Sequence, residues 1–279
     1  MTNVVKKISS KTYFKKCTGV NHQIEFYAMR RSGHHAIMEW LFYHIKEPIF
    51  FINDIEPLIK NKNYKDSGVW KNPIKSGEYS NYFQNYSFNY EDASLEKLQI
   101  LMRKYYTHCL IKKPEKISKI FIIRDPFNLF ASRLKFFKEK KLKNITASGS
   151  GWSDEKAVSL WCEYAREYLG ETRYIPDRVF IDYNKWCSDS KYRAKIITPF
   201  NKRGEYLDEG RGRVPPNGGG SSFDSREYNG KGEQMKTQER WSLMLDDPDY
   251  MRIFENKKLI ELSEKIYPDL TERVLSGIR

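Results

Sequence analysis

The sequence predicts an α/β fold, a central parallel sheet flanked by helices, and three observations carry that expectation. Apolar, β-branched or aromatic runs from Ile24 to Ala28, from Ile120 to Ile123 and from Val179 to Ile181 read as strands buried on both faces. Segments with apolar residues at helical spacing alternate with them, the pattern of βα units. The first two runs each end at arginine, where strand gives way to helix. At 279 residues the chain is expected to form one domain, with insertions at 54–83, 139–152 and 200–238.

In order along the chain, residues 1–21 are polar and basic and receive no element. The strand from Ile24 breaks at Arg30-Arg31-Ser32-Gly33, and Ala36, Ile37, Trp40 and Leu41 resume at helical spacing. Pro48 to Asn53 reads as a second strand. Residues 54–83 keep no period and are expected to line a cleft with Trp70, Tyr79 and Tyr82. Asn85 to Asp92 alternates as a strand and ends in Glu91-Asp92; a helix from Leu95 to Tyr106 follows. Arg124 ends the next strand, and Asp125-Pro126 supplies a cap and an N1 proline for a helix that holds Ser132. Basic Phe136 to Lys143 and Gly/Ser-rich Ala147 to Trp152 predict a mobile loop over the cleft. Then come a helix from Asp154 to Leu169 with Trp161 in its apolar stripe, a strand from Arg178 to Tyr183 and a helix from Trp186 to Ile197. Residues 200–238 are irregular and rich in Gly, Arg, Lys and Ser, and Lys258 to Tyr267 closes the chain as an amphipathic helix.

A tight basic loop between strand and helix suits a phosphate-like anion, because loop amides and the positive helix end converge there. Gly33 lets the backbone approach and Arg31 offers a planar fork to paired oxygens; the plainer alternative makes Arg30 and Arg31 solvated charges in a turn. No Gly-x-x-x-x-Gly-Lys-Ser/Thr occurs, which disfavours a magnesium-dependent NTPase. Arg124 and Ser132 form a second candidate pair for an anion, against a plainer pairing of Arg124 with Asp125. Glu91 lies at a strand's carboxyl end, where ligands of open α/β sheets bind, and an acid at a helix start is the alternative. His34 and His35 either donate to an anionic oxygen or shape the first helical turn. Zinc is not expected at these histidines, since neighbours in sequence rarely aim at one ion and no third donor is near in the sequence.

Together these residues resemble the PAPS-dependent sulfotransferases, the bacterial and viral branch of a P-loop-like fold. Arg31-Ser32-Gly33 after a strand is similar to that family's 5′-phosphosulfate loop, and Arg124-x7-Ser132 in an Ile-Arg-Asp-Pro setting is similar to its 3′-phosphate motif. The resemblance implies sulfuryl transfer from PAPS, leaving PAP, to a hydroxyl or amine acceptor such as a saccharide or small metabolite, with no metal. It implies cofactor contacts from Arg30, Arg31, Ser32, Gly33, His34, His35, Ala36, Arg124 and Ser132. It also moves Ser222, Phe223 and Arg240, beside Gly218-Gly219-Gly220, from a flexible linker to a loop closing on the nucleotide. Catalytic roles are expected for Arg31, for Glu91 as general base and for His35, with His108 as the other candidate base. The sequence departs from the family at His34 and His35, where small hydroxyl residues are usual.

Lys and Arg exceed Asp and Glu, 49 against 36, so an anionic ligand is expected. Nucleic acid would satisfy the same charge, but no helix-turn-helix, RRM or zinc pattern supports it. The alternatives to a sulfotransferase are thus a P-loop kinase or a non-catalytic basic nucleotide- or nucleic-acid-binding protein. Cys17, Cys109, Cys162 and Cys187 form no C-x-x-C pair, and no apolar run reaches a membrane span; a soluble cytoplasmic protein is expected.

Overall fold

The computed structural model describes residues 22–45, 49–54, 69–71, 85–99, 114–142, 154–200, 206, 208–215 and 220–278. Six strands form one sheet: β1 (His22–Ala28), β2 (Ile49–Ile52), β3 (Val69–Lys71), β4 (Asn85–Glu91), β5 (Lys116–Ile123) and β6 (Arg178–Asp182). Their order is β3-β2-β4-β1-β5-β6, all parallel except β3, which pairs antiparallel with β2 at one edge. That edge strand falls inside the stretch that showed no sequence period.

Residue alternation along the strands sorts side chains into two cores, one on each sheet face. Ile24, Phe26, Ala28, Ile120, Ile122 and Ile181 pack on one face against α1 (His34–His44), through Ile37, Trp40 and Leu41, and against Trp186, Ile196 and Ile197. Tyr27, Phe121 and Ile123 point to the other face. There Phe127 and Phe130 of α2 (Pro126–Leu142) and Trp161 and Tyr164 of α3 (Asp154–Tyr168) cover them. The same core takes in Tyr250, Leu259 and Val274 from α6 (Pro248–Ile253), α7 (Lys257–Ile266) and α8 (Pro268–Ile278).

Four expectations change, the first being that Lys258 to Tyr267 closes the chain, since α8 follows it. The basic run from Phe136 is helical through Leu142 rather than a mobile loop: Lys135 pairs with Glu139 one turn on, and Lys138 bridges to Asp247 and Asp249. The helix expected from Trp186 to Ile197 is two, α4 (Tyr183–Ser188) and α5 (Ser190–Ile197). They are separated by Asp189, whose extended backbone breaks the first and whose carboxylate caps the second. The strand from Arg178 stops at Asp182, because that carboxylate accepts the Asn184 and Lys185 amides and starts α4 at Tyr183.

Topology places the site. From β1 the chain continues to β2 on one side, and from β5 to β6 on the other, although β1 and β5 are neighbours. Connections that leave adjacent strands in opposite directions open a crevice beyond their carboxyl ends. The Arg31 loop and Arg124 both stand there.

Candidate active site at the carboxyl ends of the strands

The loop after β1 is held in an uncommon backbone shape. Arg31 has φ +68° and Gly33 φ +84°, while the Ser32 amide turns back to the Met29 carbonyl at 3.2 Å. Positive φ at a residue with a side chain is rare and collects at binding sites. Gly33 has a further reason: a methyl group on it would lie 2.0 Å from Tyr183 Cε2. The ring of Tyr183 thus lies against the loop, and its face also stacks on the Arg124 guanidinium, 4.7 Å away. Ala36 takes part through its backbone, its amide donating to the Gly33 carbonyl as the first turn of α1 closes.

Positive charge gathers on one side of this loop. Arg124 Nη1 donates to the Arg31 carbonyl at 2.9 Å and Nη2 to the Thr237 carbonyl at 2.5 Å, while its buried Nε has no acceptor among the described residues. Trp161, expected in the core and found there, donates from Nε1 to the Arg124 carbonyl and so fixes the backbone that carries this guanidinium. Asp125 does not pair with Arg124; it caps α2, accepting from the Asn128 amide, and binds Asn184. Arg31 lies over the Phe136 ring and donates to the Gly220 carbonyl at 2.9 Å. Burial, then the neighbouring Arg240 and Arg124, pull the Arg31 guanidinium down to about 10. Such mutual repulsion among buried cations is relieved by an anion.

The turn from Gly220 to Asp224 ties the remaining groups to this place. Ser132 Oγ donates to Ser222 Oγ at 3.1 Å. Arg240 reaches Ser221 Oγ at 2.7 Å and Asp224 at 3.0 Å, and lies over the Phe223 ring. Burial and Arg124 lower its affinity for its proton too. Arg31, Arg124, Ser132, Ser222, Phe223 and Arg240 are therefore brought together around one turn.

Arg30 faces the other way, into carboxylates. Its Nη2 meets Asp54 at 2.7 Å, its Nε meets Glu91 at 3.1 Å, and its amide donates to Asp92. Arg133 completes the group with two bonds to Asp92, at 2.7 and 3.1 Å, and one to the Arg30 carbonyl. Burial, then the nearby Glu91, pushes the Asp54 carboxyl up to about 6 against the pull of Arg30.

Glu91 is also the meeting point of both histidines. His34 Nε2 lies 3.0 Å and His35 Nε2 3.1 Å from its Oε1, and the two rings are tilted at a centroid distance of 4.1 Å. Burial alone would raise the Glu91 carboxyl, but the bonds from His34 and His35 outweigh it and hold it well below the usual range. Burial, then His34, pulls the His35 imidazolium down to about 4, so His35 is neutral at pH 7. Neighbouring histidines do aim at one point here, and the third donor comes from β4, which sequence distance hid.

His108, Tyr79 and Tyr82 lie outside the described residues, as do Gly218 and Gly219. Sequence reasoning missed Arg133, Tyr183, Asp54 and also Asn89, whose side-chain amide donates to Glu91 Oε1 at 3.0 Å. Of these, Tyr183 carried a signal, since it follows a β-strand run directly at the same sheet end as Arg124. Cys162 and Cys187 are free thiols.

No protein-family model matches the chain, and neither does any curated protein. Among solved structures, mouse sulfotransferase SULT7A1 complexed with PAP is similar at a TM-score of 0.43 and 13% identity, over 97% of this chain and 95% of that one. A likeness of that size decides neither reaction nor ligand for this chain.

Proposed function

We propose that the chain moves a sulfuryl group from PAPS to a hydroxyl or amine acceptor, a saccharide or small metabolite, leaving PAP. The observation that carries the reading is the junction of the Arg31 turn with Arg124, 2.9 Å from guanidinium to carbonyl, at one end of the sheet. Had these motifs fallen on different faces, one nucleotide could not meet both. The buried Arg124 Nε without an acceptor fits an anionic oxygen, as does the cluster of Arg31, Arg124 and Arg240. The strand-loop-helix setting of Arg31-Ser32-Gly33 and the Arg124-x7-Ser132 spacing supply the specificity of the reading.

Arg124, Ser132 and Arg240 hold the 3′-phosphate, with Phe223 beside the purine. Ser222 and the turn around it close over that end. Arg31 and the amides at the start of α1 hold the 5′-phosphosulfate, where negative charge grows on the phosphate oxygen as its bond to sulfur breaks. The acceptor oxygen bonds to sulfur from the opposite side, and its proton passes to the His35–Glu91 pair. Glu91 accepts too many hydrogen bonds to be a strong base by itself; it orients the imidazoles and stabilises the charge that His35 would gain. Arg30 neutralises the same carboxylate. Arginines supply the charge stabilisation, and the transfer needs no metal. No helix among the described residues is long and apolar enough to cross a membrane.

The test is a kinetic split in a sulfate-label transfer assay. Arg31→Ala is expected to lose far more turnover than PAP affinity, and Arg124→Ala mainly affinity. Equal, small effects from both would contradict the assigned roles.

A further inference from the structure

Oε1 of Glu91 has more donors than it can serve. His34 Nε2 at 3.0 Å, His35 Nε2 at 3.1 Å and Asn89 Nδ2 at 3.0 Å all converge on it. A carboxylate offers about four lone-pair sites over two oxygens, and here Oε2 already accepts from Arg30 at 3.1 Å. Three N–H donors on one oxygen leave at least one poorly directed. The conflict disappears if each imidazole turns a lone pair, rather than a proton, toward the point the three groups share.

We propose that His34, His35 and Glu91 form a binding site for a divalent transition-metal ion of the zinc class. The three ligating atoms lie within 4.8 Å of one another. Tetrahedral zinc with bonds of about 2.05 Å separates its ligands by about 3.3 Å, so the two nitrogen-to-carboxylate distances of 3.0 and 3.1 Å need open only slightly. Two imidazoles and a carboxylate are a donor set that zinc takes with a fourth position left for water or substrate. Each imidazole binds as the Nδ1–H tautomer through Nε2.

The surroundings suit that role. Ser32 Oγ stands 3.4 Å from His34 Nδ1, placed to accept its proton, and Arg30 on Oε2 leaves Glu91 to bind through Oε1 alone. Glu91, Asp54 and Asp92 are matched by Arg30 and Arg133 and by Arg31, which also acts on Glu91 and His35, so the wall is close to neutral and Glu91 is the one anionic ligand offered to the ion. His34 is 3% and Glu91 9% exposed, whereas His35 is 20% exposed, so the site opens on the His35 side. The metal-binding tautomer of His35 carries its proton on Nδ1, the nitrogen left to accept the acceptor's proton when Nε2–H bonds Glu91, so metal-bound and proton-accepting states exclude one another.

The 279-residue chain, stripped with EDTA and dialysed, would be titrated with zinc chloride against a chromogenic zinc chelator. One equivalent is expected to bind with micromolar or tighter affinity. His35→Ala and Glu91→Gln are each expected to weaken it by about tenfold or more, with circular dichroism confirming that both remain folded; His35→Asn replaces any variant that does not. Cobalt substitution is expected to give visible d–d bands without the near-ultraviolet thiolate charge-transfer band of a cysteine site. Absent binding, binding that these variants leave unchanged, or a thiolate band would overturn the proposal. PAP titration of the metal-free chain is read separately, so failure of the metal site and failure of the nucleotide reading are distinguishable.

Discussion

Gly33→Ala isolates the packing of the loop on Tyr183. The added Cβ would stand 2.0 Å from Cε2, 2.5 Å from Cδ2 and 2.6 Å from Cζ of that ring. Restoring ordinary contact at about 3.4 Å moves the ring by about 1.4 Å (3.4 − 2.0), and a shift of that kind in a packed site costs about 1–3 kcal/mol. The backbone adds about 1 kcal/mol, because φ +84° suits glycine and strains alanine. Gly170→Ala is the control: its φ is +77° and no atom of the described residues lies within 4 Å of the added methyl, so it carries the backbone term alone. Urea unfolding should therefore show Gly33→Ala about 1–3 kcal/mol less stable than Gly170→Ala. Because Tyr183 also supports Arg124, PAP affinity should fall in Gly33→Ala and not in Gly170→Ala. Equal destabilisation of the two variants would refute the packing argument.

Two further variants probe what surrounds the site. Arg133→Ala leaves Asp92, 18% exposed, without its bidentate partner and should cost about 3 kcal/mol in denaturant unfolding; a loss under about 0.5 kcal/mol would count against a structural role. Asp208 is held at about 2, first by hydrogen bonds from Arg193 that outweigh burial, and its two oxygens meet Arg193 Nε and Nη2 at 2.6 Å each. A depressed carboxylate stabilises above its unfolded value of 3.8 and loses that contribution as pH falls through about 2. With 32% exposure the contribution is about 1 kcal/mol after screening. Asp208→Asn should flatten the stability profile between these pH values by that amount, and an unchanged slope would contradict the pairing.

β1, β5 and β6 were legible as apolar runs and β4 by its alternation, and so were the two arginines that follow β1 and β5. The folding of Phe136 to Leu142 was not, since its lysines find their partners in Asp247 and Asp249, more than a hundred residues away. β3 was hidden for a related reason: a three-residue edge strand is too short to show alternation. Asp247-Pro248 and Tyr267-Pro268 did announce helix starts at α6 and α8, the proline at N1 in each, and could have been read. At the site, sequence gave Arg31, Arg124 and Ser132 a common purpose but could not separate Arg30 from Arg31. Only the arrival of Asp54, Glu91 and Asp92 from β2 and β4 shows that Arg30 is committed to carboxylates and Arg31 is not. The donor beside the histidines was hidden by the same blindness, because Glu91 is remote in sequence and adjacent in space.

Calorimetric titration with PAP, set beside ATP with magnesium, tests the nucleotide reading most directly. One PAP per chain is expected, bound more tightly than ATP and independently of magnesium, with the affinity strongly reduced in Arg124→Ala. Tight, magnesium-dependent ATP binding with no response to PAP, or PAP binding that Arg124→Ala leaves intact, would contradict it.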